Sequence, residues 1–125
     1  ATLAPPMTYR THVTTLDDLE PGEQLALGGL LRILIRLDGV FSEEEEKILE
    51  LVAEQIGGRE ALWRVISRSA QEHRSDDDVR AAAKAVVRTE ARVMMREVLE
   101  AVGRADTIVP EEQRLFDWLD EIWAG

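Results

Sequence analysis

Pro21-Gly22-Glu23-Gln24-Leu25-Ala26-Leu27-Gly28-Gly29-Leu30-Leu31-Arg32-Ile33-Leu34-Ile35-Arg36-Leu37-Asp38-Gly39-Val40-Phe41-Ser42-Glu43-Glu44-Glu45 is the stretch on which the fold turns. Its leucines and isoleucines at 25, 27, 30, 31, 33, 34, 35 and 37 cover nearly every side of a helix. A surface helix buries one stripe, so this distribution predicts a central helix over about 21–37 with neighbours on several sides. Gly28 and Gly29 each cost about 1 kcal/mol relative to Ala in a helix interior, which is reasonable where another helix crosses close to the backbone. After Asp38 and a short turn through Gly39, Ser42 with Glu45 three residues later forms a capping box that opens the next helix.

The same grammar returns at Arg104-Ala105-Asp106-Thr107-Ile108-Val109-Pro110-Glu111-Glu112, where a helical run ends at an Asp and Pro110 starts a new helix carrying glutamates. Between these passages the period stays helical. Ile48, Leu49, Val52 and Ile56 share one face of a second helix, which Gly57 and Gly58 stop. A third helix is expected over about 59–70, with Leu62, Val65 and Ile66 inward. Ser75 and Asp76 to Asp78 supply an N-cap and a negative first turn. The run from Val79 to Ala105 is long for one globular helix, and a break is expected near Arg88 and Thr89. Leu115, Phe116, Leu119, Ile122 and Trp123 face inward on the last helix. With no strand signal, the prediction is an all-α bundle of about five to seven helices containing two pseudo-repeated helix–Asp turn–helix units.

Composition narrows the function classes. The chain has 125 residues and no cysteine, enough to bury roughly two thirds of its unfolded surface as one domain without disulfides. Thiolate metal sites and cysteine nucleophiles are excluded. Twenty-five acidic residues against 15 basic ones give a formal charge of −10, which repels phosphate backbones and anionic lipid. Nucleic acid is therefore not an expected partner. The longest apolar stretch carries Arg32 and Arg36 and falls short of a bilayer span, so membrane insertion is not expected either. Ala1 to about Asp18, rich in Thr and Pro without period, reads as a flexible arm or linker, with the helical domain over 19–125. The expected location is cytoplasmic.

The run Leu27 to Glu45, with its Asp-Gly-x-Phe-Ser-x-x-Glu turn, and the run Val86 to Leu119, with Glu90-Ala91-Arg92, Asp106 and Pro110-Glu111-Glu112, resemble the tellurite-resistance TerB-like family. The similarity covers nearly everything from about Leu19 onward. It implies an all-helical fold, a place in bacterial stress responses as a binding or scaffolding module, and divalent-metal binding at acidic clusters; it implies no enzyme activity. On the family's pattern Asp38, Glu45, Asp106 and Glu112 are the motif acids, and a hard cation such as Ca²⁺ or Mg²⁺ is the implied ligand. The second turn departs from the pattern: it is one residue short and lacks the Gly, and Thr107 disfavours the positive φ that Gly39 tolerates.

The residues also admit a reading without metal. Glu45 caps a helix reciprocally with Ser42, and Glu43, Glu44, Glu111 and Glu112 sit at positive helix ends. Arg32 and Arg36, on an otherwise apolar helix, are candidate partners for Asp38, Asp106 or the glutamates. Trp63, Trp118 and Trp123 form a candidate interaction surface for a protein partner or for self-association, because Trp is favoured at interfaces. His12 and His73 lie in polar settings with no nucleophile beside them.

Overall fold

The computed structural model describes residues 13–38, 42–104 and 109–124, and of Asp38 the backbone only. It is all-helical. Among the described residues a short 3-10 turn at Leu16–Asp18 precedes six helices: α1 (Pro21–Asp38), α2 (Glu43–Ile56), α3 (Arg59–Glu72), α4 (Asp76–Ala85), α5 (Thr89–Gly103) and α6 (Pro110–Ile122). The expected break near Arg88 and Thr89 is present, as an extended linker at 86–88 that separates α4 from α5.

Helix α1 is the hub, packing against α3, α4, α5 and α6. Leu27, Leu30, Leu31 and Leu34 are fully enclosed, and Leu25, Ala26 and Ile33 are buried beside them. Helix α2 lies against α3 and α5. The glycine pair explains how two helices reach α1 at once. A Cβ placed on Gly28 would stand 3.0 Å from the Val65 carbonyl oxygen and 3.2 Å from Ser69 Cβ, both on α3. A Cβ on Gly29 would stand 2.7 Å from a Val79 methyl on α4. Gly103 plays a similar part further along, where Phe116 of α6 packs onto the end of α5.

Turn chemistry sets the connections. Gly57 and Gly58 both have positive φ, at 135° and 105°, which lets α2 stop and α3 start within two residues. The folded body begins earlier than the expected boundary at residue 19. Leu16 and Leu19 are buried in the core, Val13 packs against it, and the Asp18 carboxylate accepts hydrogen bonds from Thr14 and Thr15 N–H. The rest of the expected arm, residues 1–12, lies outside the described residues.

Two consequences are measurable. Gly29→Ala must displace a β-branched, buried Val79, so overpacking of about 1–3 kcal/mol outweighs the gain in helix propensity, and a Tm loss of several degrees is expected by circular dichroism. Gly22→Ala, with open space around it, should leave Tm unchanged or raise it. Ser69 is fully buried and its hydroxyl has no hydrogen-bond partner among the described residues. Ser69→Ala keeps the Cβ against Gly28 and removes the orphaned group, so a rise of about 1 kcal/mol in unfolding free energy is expected from a urea titration.

Candidate functional site

Four of the six helices begin in the same way. Glu23 accepts the Glu20 N–H at 2.7 Å, Glu45 the Ser42 N–H at 3.1 Å, Asp78 the Ser75 N–H at 3.4 Å and Glu112 the Val109 N–H at 3.0 Å. In each case an acid three residues into the chain's turn closes back on the N-cap, satisfying an otherwise orphaned donor at the positive end of a helix. Ser42 and Ser75 return the bond through their hydroxyls; Val109 has no side-chain acceptor with which to do so. Glu23, Glu45 and Glu112 are buried while they do this, and Glu45 and Glu112 are engaged further.

Of the four motif acids, Glu45 and Glu112 thus occupy matching positions as buried caps of α2 and α6. Asp106 lies outside the described residues, as does the side chain of Asp38. Among the described residues no three acids or histidines gather in a metal-holding group. The described contacts of the two candidate arginines lie at the α3–α4 connection. Arg32 donates to the His73 carbonyl at the end of α3, and Arg36 pairs with Asp76 at the start of α4. Both stitch α1 to the α3–α4 corner.

The three tryptophans differ. Trp118 is half-buried against the core with Arg80 over its ring, 5.4 Å from the centroid. Trp123 is half-buried too, and its indole N–H donates to the Ala83 carbonyl at 3.0 Å, tying the end of α6 to α4. Trp63 is 41% exposed on α3. Beside it a shallow hollow of about 190 Å³ lies between α2 and α3, lined by Leu49, Ala53, Arg59 and Trp63. Leu51, on the neighbouring turns of α2, is 60% exposed, and Arg59 bridges to Glu50 across the same face at 3.4 Å.

A larger groove, about 640 Å³, runs between α2 and α5 with Val13 and Thr14 at one end. Its floor is Val52, Ile56, Met94 and Val98; Glu90, Val93 and Glu97 stand along the α5 wall. Sequence reasoning did not find this groove. The only sequence signal is Val93, an apolar residue on α5 off the inward stripe of Ala91, Met94 and Val98.

Comparison with family models, curated proteins and solved structures finds no match to this chain. The reading of function therefore rests on its own surfaces. Among the described residues no helix is long and apolar enough to cross a membrane.

A part-buried ion pair ties the α4–α5 linker to the start of α1. Arg88, in the α4–α5 linker, grips Glu23 with both arms of its guanidinium and also donates to the Asp18 carbonyl. Burial alone pushes the Glu23 carboxyl up; the Arg88 hydrogen bonds, the Glu20 N–H and the Arg88 charge outweigh it and hold the group below its usual value of 4.5. Asp18 is lowered by the Thr14 and Thr15 N–H groups, Asp76 by Arg36 and Asp120 by Arg96. Lowered acids stabilise the fold above their unfolded values and lose that contribution as pH falls through the folded ones. Tm should accordingly hold at neutral pH and drop as the pH falls below about 4.5. Glu23→Gln should cost about 1–3 kcal/mol at pH 7 and flatten that acid-side slope, measured by thermal scans from pH 7 to pH 3.

Proposed function

We propose that this domain is a non-enzymatic, TerB-like helical module of a bacterial stress response, binding a protein partner or a second copy of itself through the α2–α3 face around Trp63. The observation that carries this reading is a half-exposed Trp63 lining one hollow and a 60% exposed Leu51 lining another, with Arg59 and Glu50 lining both. Large aromatic and Arg side chains are the usual anchors of protein interfaces. The TerB-like part of the reading is supported by the matching use of Glu45 and Glu112 at the starts of α2 and α6, each preceded in the sequence by an Asp, Asp38 and Asp106.

Trp63→Glu is the decisive variant because its side chain is not part of the core cluster. Its Tm should stay within a few degrees of the parent, while a partner co-purified from a bacterial host, or a dimer seen by sedimentation, should weaken roughly 30-fold or more. Retention of the complex by Trp63→Glu would refute the reading. A Ca²⁺- or Mg²⁺-dependent rise in Tm that Glu45→Gln abolishes would replace it with a divalent-metal sensor or buffer.

A further inference from the structure

We infer that the groove between α2 and α5 is a second binding surface, one that receives a cationic amphipathic helix. The inference concerns a different face from the one around Trp63 and stands independently of it. Along α5, Glu90, Val93, Glu97 and Ala101 recur at the three- and four-residue spacings that place them on one side of a helix, and all line the groove. Val93 is 52% exposed, although the floor beneath it is apolar. The stripe from Glu90 to Ala101 is about 16 Å long, room for roughly three turns of a partner helix.

Charge decides the occupant. Glu90 and Glu97 stand two turns apart, about 10.5 Å along the helix axis. Among the described residues neither makes a hydrogen bond or a salt bridge, and no cationic side chain lines the groove. Arg88 lies near Glu90 but is already bound to Glu23. Arg92 donates to the Val86 carbonyl, and Arg96 is taken by Asp120 and Glu100. A partner helix with an apolar stripe and basic residues seven positions apart would cover Val93 and Met94 and neutralise both carboxylates, the helix-in-groove mode of recognition. At this groove, where Glu90 and Glu97 call for a cationic partner, a second copy of a chain with net charge −10 is the weaker fit.

The test uses the full chain, ¹⁵N-labelled, and two synthetic helical peptides of about 14 residues, roughly four turns. Both carry leucines at spacings of three and four; one has lysines seven apart, the other glutamates in their place. The lysine peptide should shift the amides of Val52 to Ile56 and Glu90 to Ala101, and the glutamate peptide should not bind. Binding should weaken about tenfold in Glu90→Gln/Glu97→Gln. It should also weaken about fivefold in Val93→Ser, whose side chain is half in water and whose fold should hold. Glu43→Gln/Glu44→Gln removes the same charge from the exposed start of α2 and should change affinity less than about twofold. Equal weakening by the two double variants would mean attraction by net charge alone and would overturn the proposal. So would groove amides that the lysine peptide leaves unmoved.

Discussion

At Gly28 and Gly29 the backbone of α1 is bare, and Val65 and Ser69 of α3 and Val79 of α4 press into the space that side chains would otherwise take. The rest of the molecule depends on that approach. Because α3 and α4 both sit close to α1, a single helix can be buried on several sides in a chain of this length, and its leucines can supply the core for four neighbours. Each glycine carries a conformational cost in an isolated helix, and packing density at the crossing offsets it. The corner is then fastened at its rim, where Arg32 holds the end of α3 and Arg36 the start of α4.

The acidic character of the chain has a structural use before any functional one. Glu23, Glu45, Asp78 and Glu112 each close a helix start, and Asp18 gathers the N–H groups ahead of α1. Burial of three of these acids is tolerable because each meets strong donors, and Glu23 has a guanidinium as well. Glu90 and Glu97 stand apart from this pattern. Glu90 is in the first turn of α5 and Glu97 is mid-helix, yet among the described residues neither bonds back to an N-cap or forms a salt bridge, so their alignment along an open groove differs from the capping acids.

The all-α bundle was legible because apolar spacing, capping residues and glycine stops agreed at nearly every boundary. Ser42 with Glu45, the Gly57–Gly58 pair and the break at Arg88 each follow from local chemistry, and the glycine crossing from one conspicuous pair. What local chemistry does not carry is partner choice. Glu23 and Arg88 meet across 65 positions, and Arg36 and Asp76 across 40, so the sequence offered the nearer acids for Arg36 instead. The tryptophans were read as one surface, yet Trp118 and Trp123 turn toward α4 and only Trp63 is exposed. The α2–α5 groove was invisible for a related reason: it belongs to a pair of helices and to how far apart they are held. The turns bearing Asp38 and Asp106 add nothing to this comparison, as those side chains lie outside the described residues.

The order of elements along the chain sets the order in which they can meet. Helix α1, apolar nearly all round, emerges from the ribosome first among the six, while Val65, Ser69 and Val79, which close over its glycines, follow some 35 to 50 residues later. At a synthesis rate of about 5–20 residues per second, that interval lasts roughly two to ten seconds. During it the most hydrophobic segment of the molecule has only α2 for company, a helix that in the finished fold rests on α3 and α5. The nascent chain thus spends seconds with its future core in search of cover, a window in which a chaperone that recognises apolar helices has its clearest target in this protein.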